Sequence, residues 1–175
     1  GVDCTYDGKE HSITVTVNTE EKYTVVYSES LSGGYTEKPI LKKAAGHYVV
    51  YWQVLMGEGL NEGTVVSGAT VISIAKAKVV IKPDDKTMTV GGTLPELTYT
   101  VTGLVGEEKL RREPTVEYTT DGSKTGTFAI VAYDADADTH YEIIYENGTL
   151  TVNGRGGSSS SSSSTGASNT VSAPS

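Results

Sequence analysis

The chain has 175 residues, 37% of them hydrophobic, with 22 acidic against 14 basic side chains and a net charge of −8. That balance repels phosphate backbones and anionic membrane surfaces, which argues against nucleic acid as a partner. No stretch approaches the roughly 20 consecutive apolar residues of a spanning helix, so no membrane insertion is expected.

Cys4 is the single cysteine, so neither an internal disulfide framework nor a Cys-based metal site is available. It is expected as a half-buried thiol in a strand. Eleven tyrosines accompany one Phe and one Trp, so most of the aromatic mass carries a hydroxyl that needs water or a partner. Thin, half-exposed sheets suit that composition.

The opening stretch "GVDCTYDGKE" lacks the basic and apolar regions of a signal peptide, and the chain reads as a piece of a longer one. After the Tyr6-Asp7-Gly8 corner, Ile13, Val15 and Val17 alternate with polar residues and predict a strand over 13–17. The same period-2 pattern predicts strands over 48–52, 97–101, 141–145 and 150–152, bounded by Gly, Pro and Asp clusters. Gly33-Gly34 and Gly91-Gly92 read as turn residues, because neither continues into a phosphate-cradling motif. Residues 107–118, "EEKLRREPTVEY", have the composition for one short charged helical turn ended by Pro114. Asn147-Gly148 predicts a type I′ hairpin between two alternating strands. With Thr149 it also forms a glycosylation acceptor pattern, which turn chemistry explains without a sugar. From Gly154 onward a Gly/Ser-rich composition predicts a disordered linker over 154–175.

Two passes of one plan are visible. Thr5, Gly8, Ile13, Val15 and Val17 match Thr89, Gly92, Leu97, Tyr99 and Val101 at an offset of 84. "GHYVV" from Gly46 matches "GTFAI" from Gly126 at an offset of 80, and Ile72 and Ile74 match Leu150 and Val152 at 78. The expected organisation is β-module 1 over 1–76 and β-module 2 over 77–153, joined near residues 75–78 by a link short enough to restrict their relative orientation. Each is a small antiparallel module in a mainly β fold, with an Ig-like sandwich favoured. The alternative is a β-grasp-like sheet carrying one short helix per module.

Chemistry has little support. Ser73 and Lys76 with Lys124-Thr125-Gly126 superficially match a serine-lysine enzyme motif. That chemistry needs the pair on one helix face, whereas here they end an alternating strand. His11, His47 and His140 stand in no ligand spacing and read as surface or rim residues, and no nucleophile-elbow pattern is present. No catalytic, cofactor-binding or metal-binding residue is assigned, and no cofactor is expected.

Asp134, Asp136 and Asp138, with Glu142 nearby, form the one constellation that could take a calcium ion, because alternation along an extended segment would aim three carboxylates at one face. A solvated acidic loop is the competing reading. Tyr48, Val50 and Trp52 share one strand face, as do Tyr141, Ile143 and Tyr145. Such stripes serve as core more often than as sugar platforms.

"YDGKEH", "GHYVVYWQV" and "VISIAKA" in the first copy resemble the Ig-like and MBG-type tandem repeats of bacterial surface proteins. "KPDDKTMTVGGTLPELTYTVTGLV" and "YEIIYENGTLTV" in the second resemble them too. The likeness covers residues 1–153. It implies non-catalytic stalk modules of an adhesin, extracellular and either secreted or cell-wall-attached, whose partners are neighbouring repeats of the same chain. A host glycan, mucin or host protein is the alternative partner.

The second copy departs from the family's Tyr-Asp-Gly corner, reading "TVGGT". A family module also begins with a strand such as "AKVVIKPDD", which the first copy lacks, so module 1 is expected to miss an edge strand and to be less stable or to pair edge to edge. A Lys–Asn isopeptide staple, of the kind some surface β-domains carry, is not legible in one sequence.

Overall fold

The computed structural model describes residues 1–57 and 63–156. Most of the predicted linker lies outside the described residues. Strands β1 (Val2–Thr5), β2 (Tyr23–Ser28), β3 (Gly46–Met56) and β4 (Thr64–Ala75) form one sheet in the order β1-β4-β3-β2. Strands β5 (Ala77–Pro83), β7 (Tyr99–Thr102) and β10 (Tyr141–Tyr145) form a second, β10-β5-β7. Strands β6 (Lys86–Thr89), β8 (Thr115–Tyr118), β9 (Gly126–Tyr133) and β11 (Gly148–Asn153) form a third, β6-β11-β9-β8. The fold is mainly β and consistent with a sandwich, and the described residues contain no helix.

The sheets are mixed rather than antiparallel as expected. β1 runs parallel to β4, β6 to β11 and β5 to β10. In each copy the early strand comes to lie beside the closing one, and both run the same way.

The two four-stranded sheets repeat residue for residue. Val2 faces Ile72 and Cys4 faces Ile74, just as Lys86 faces Leu150 and Met88 faces Val152. Gly46 faces Ile74 and Tyr48 faces Ile72, and their counterparts Gly126 and Phe128 face Val152 and Leu150. These partners stand at the offsets of 84, 80 and 78 found in the sequence. Even the corner repeats: Tyr6 N donates to Ala75 O at 2.8 Å, and Val90 N donates to Asn153 O at 2.8 Å. Cys4 is half-buried in β1, as expected.

Three further expectations are corrected. Residues 13–17 alternate in burial as a strand would, with Ile13 buried and Thr14 exposed, yet they belong to no ladder. Their counterpart β7 is held antiparallel by β5, and no such partner lies beside 13–17 among the described residues. Residues 107–118 make a turn and then β8 rather than a helical turn: Glu108 N closes a turn onto Val105 O, and the amides of Arg111 and Arg112 donate to Asp136 O across the chain instead of to a helical neighbour.

The third correction concerns Asn147-Gly148, which does not close a hairpin. β10 pairs with β5 in one sheet and β11 with β9 in another, so the chain changes sheets there. Glycine is required at 148 by proximity rather than by a positive φ: a Cβ would sit 2.4 Å from the Pro83 carbonyl oxygen.

The core follows from strand alternation. Ala77, Val79, Ile81 and Pro83 turn inward on β5, and Val50, Ile72 and Ile74 on the first sheet. Each fully buried Val or Ile contributes about 1.5–3 kcal/mol of transfer free energy. One cluster unites Tyr6, Ile13, Tyr27, Val50, Ile72 and Ile74 with Ala77, Val79, Ile81, Ala132 and Tyr141, so apolar packing is continuous across Lys76. A separate cluster of Met88, Ile130, Leu150 and Val152 lies on the third sheet.

The Gly148→Ala variant is expected to lose about 1–3 kcal/mol in a urea titration, the cost of forcing a methyl against a fixed carbonyl. Gly63→Ala, where a Cβ meets nothing within 4 Å, should change stability far less.

Candidate functional site

A dense polar arrangement lies where the first sheet adjoins the second. β4 ends at Ala75 and β5 begins at Ala77, so Lys76 is the whole connection. The Tyr6-Asp7-Gly8 corner is held in shape by Asp7, whose Oδ1 accepts from Lys9 N and pairs with His11 Nε2, each at 2.9 Å. This corner projects Tyr6, 5% exposed, into the second copy.

There the Tyr6 ring stacks on His140, with centroids 4.7 Å apart, and meets Tyr141 edge to face at 5.5 Å. The Tyr6 hydroxyl donates to Glu108 Oε1 at 2.8 Å, and the Tyr141 hydroxyl donates to Glu108 Oε2. The Tyr141 oxygen in turn accepts from Val105 N at 3.0 Å. Ala77 N donates to His140 O, and Ala45 N donates to His140 Nδ1 at 3.3 Å. His140 Nε2 lies 3.3 Å from Asp138 Oδ1. Residues of both copies thus close on one carboxylate and one imidazole.

The electrostatics follow from these bonds. The hydroxyls of Tyr141 and Tyr6 stabilise the Glu108 carboxylate and hold its pKa below the ordinary 4.5. The same bond, reinforced by burial, pushes the Tyr6 phenol up to about 12. Burial first, and then Glu108, raises Tyr141. Each group holds the other in its bonded protonation state near neutral pH. The arrangement binds two segments together and offers no nucleophile beside a base.

The acidic constellation is not arranged as the sequence implied. Asp134 has φ of 64°, which breaks the extended alternation that would have aimed three carboxylates at one face. Arginines meet these groups instead. Arg112 Nη2 is 3.1 Å from Asp134 Oδ1, Arg111 pairs with Asp138, and an isolated bridge joins Arg112 to Asp136 through the backbone. Among the described residues no group of three or more His, Cys, Asp or Glu side chains is placed to hold a metal ion.

His47 is exposed as expected, whereas His11 and His140 are both half-buried, His11 against Asp7 and His140 in the joint. Ser73 lies on β4 opposite His47, and Lys76 is the link. Trp52 is half-buried over Gly68, where a Cβ would come within 2.4 Å of its ring, and its Nε1 donates to Thr70 Oγ1 at 3.1 Å. Asp84 and Asp85 of "KPDD" fasten the corner after β5: Asp84 accepts from Thr98 and Thr100, and Asp85 from Thr149 N.

Residues 79–151 match the MBG domain family, YGX type. The MBG match begins within β5 and ends within β11, so it takes in the second and third sheets. MBG domains are a repeat type of bacterial surface proteins and a non-catalytic class of module. No helix among the described residues is long and apolar enough to cross a membrane. Neither the curated proteins nor the solved structures give a match to the chain.

Glu108→Ala is expected to lower stability by about 1–2 kcal/mol in urea, since two hydroxyls lose a charged acceptor at a partly open site. Because the folded-state pKa of Glu108 is depressed, its contribution is complete above pH 4.5 and disappears as pH falls through the folded value. The stability difference between wild type and Glu108→Gln should therefore shrink on acidification. Ultraviolet titration of wild type against Tyr6→Phe should show one phenol that ionises near pH 12 rather than near 10.

Proposed function

We propose that the chain is a non-catalytic extracellular segment of a secreted or wall-attached bacterial surface protein that spaces or presents an adhesive head. Residues 1–76 and 77–153 are its two repeat units, and neighbouring repeats are its partners. The observation that carries this reading is the joint. A one-residue link, a shared apolar cluster and the Tyr6–Glu108–Tyr141 bonds all restrict bending between successive units. Directional persistence of that kind is what a spacer requires, because a free hinge would let the head fold back. The MBG match over residues 79–151 supports the same reading.

Spin labels at Glu37→Cys and Lys124→Cys, in a Cys4→Ser background, test the proposal by pulsed distance measurement. One narrow distance distribution is expected, broadening when Tyr6 and Glu108 are both changed to Ala. A wild-type distribution as broad as that of the double variant would refute the spacer reading.

A further inference from the structure

At the joint, one carboxylate serves two phenols. The rings of Tyr6 and Tyr141 meet edge to face, with centroids 5.5 Å apart and planes at 85°. Their hydroxyls converge on the two oxygens of Glu108, so the hydroxyl ends of both rings, and the ring carbons that flank them, are drawn together. Elsewhere a carboxylate serves a single phenol. Tyr99 donates to Glu113 and Tyr133 to Glu117, each at 2.7 Å, and neither of those rings touches a second tyrosine ring among the described residues.

The surroundings suit chemistry at the rings and proton exchange at the carboxylate. Tyr6 and Tyr141 belong to the buried cluster that runs from the first sheet into the second, so a radical formed on either ring is shielded from other chains. Glu108 is exposed and can pass a proton to water. A phenol that loses one electron becomes a strong acid and must lose its proton as well, and Glu108 is the base within hydrogen-bond reach of both.

We infer that Tyr6 and Tyr141 form a site of oxidative cross-linking, at which an external one-electron oxidant of the kind generated from hydrogen peroxide joins the two rings as dityrosine. Each phenol gives one electron to the oxidant and its hydroxyl proton, by way of Glu108, to water. The two radicals share their unpaired electrons with the ring carbons beside the oxygens, and these carbons pair to form one carbon–carbon bond. The hydrogen on each joined carbon then moves to its oxygen, which restores both phenols. The chain loses two hydrogen atoms in all, and one hydrogen peroxide reduced to two waters accounts for both electrons and both protons. Perpendicular ring planes suit the product, whose rings are twisted about the new bond. The link fastens the Tyr6 corner to β10 across the connection at Lys76 and restrains the unfolded chain as a disulfide does. The inference rests on the geometry of the joint and holds whether or not the chain is a spacer.

The test illuminates the full chain, in a Cys4→Ser background, with tris(bipyridyl)ruthenium(II) and persulfate, a small diffusible source of one-electron oxidant. The monomer is expected to lose two hydrogens and to gain dityrosine fluorescence, and digestion should release one linked pair of peptides carrying Tyr6 and Tyr141. Tyr6→Phe should abolish that link while oxidation of the exposed Tyr133 and Tyr145 continues. Glu108→Gln, which keeps an acceptor but removes the base, should lower the yield about tenfold or more. The linked peptides from the unaltered joint decide the site whether or not that variant keeps the joint closed.

Oxidation of the exposed tyrosines without dityrosine in the monomer would overturn the inference. So would a link mapped to Tyr133 or Tyr145, or one formed only between chains. Equal yield of the Tyr6–Tyr141 link in urea that unfolds the chain would show that the folded geometry plays no part, and would overturn it too.

Discussion

Lys76 separates the last strand of one sheet from the first strand of the next, and most of the architecture follows from that brevity. With one residue between Ala75 and Ala77, the inward faces of β4 and β5 cannot part, so Ile74 and Val79 contribute to one apolar cluster. The Tyr6 corner is then brought against His140 and Tyr141, because Tyr6 N is fastened to Ala75 O immediately before the link. Stability of the pair is therefore not the sum of two independent units. A cavity opened at the shared cluster is felt on both sides.

The repeat was legible because it was written in partners that face each other. Ile72 and Ile74 against Leu150 and Val152, and Gly46 against Gly126, kept their spacing while the loops between them changed length. Period-2 alternation placed β10 at its observed limits and found the centres of β3 and β11. It failed where the pattern needed a partner to become a ladder. Residues 13–17 have the burial rhythm of a strand, but a ladder is a property of two segments, and period-2 alternation describes one.

The Asn147-Gly148 misreading has a different cause. A hairpin turn and a change of sheet call for similar small, polar residues. What distinguishes them here is the Pro83 carbonyl, 65 positions earlier in the chain, against which Gly148 packs. The joint was hidden for the same reason. Tyr6 and Glu108 are 102 residues apart, and neither carries a local mark that names the other. Glu108 also lay within a charged segment that suggested one short helical turn, whereas two phenols make it the shared acceptor of the contact.

Parallel pairing of β1 with β4, and of β6 with β11, bears on how the chain responds to force. Within each sheet, the outer strand lies near the start of the copy and its neighbour closes the copy. Tension applied through the flanking residues draws two parallel neighbours in opposite directions along their own length. Their four-residue ladders are then loaded in shear, all rungs together, instead of being unzipped one rung at a time. Resistance of that kind depends on the main chain and the number of rungs, so surface substitutions can accumulate while the pulling strength of each sheet is kept.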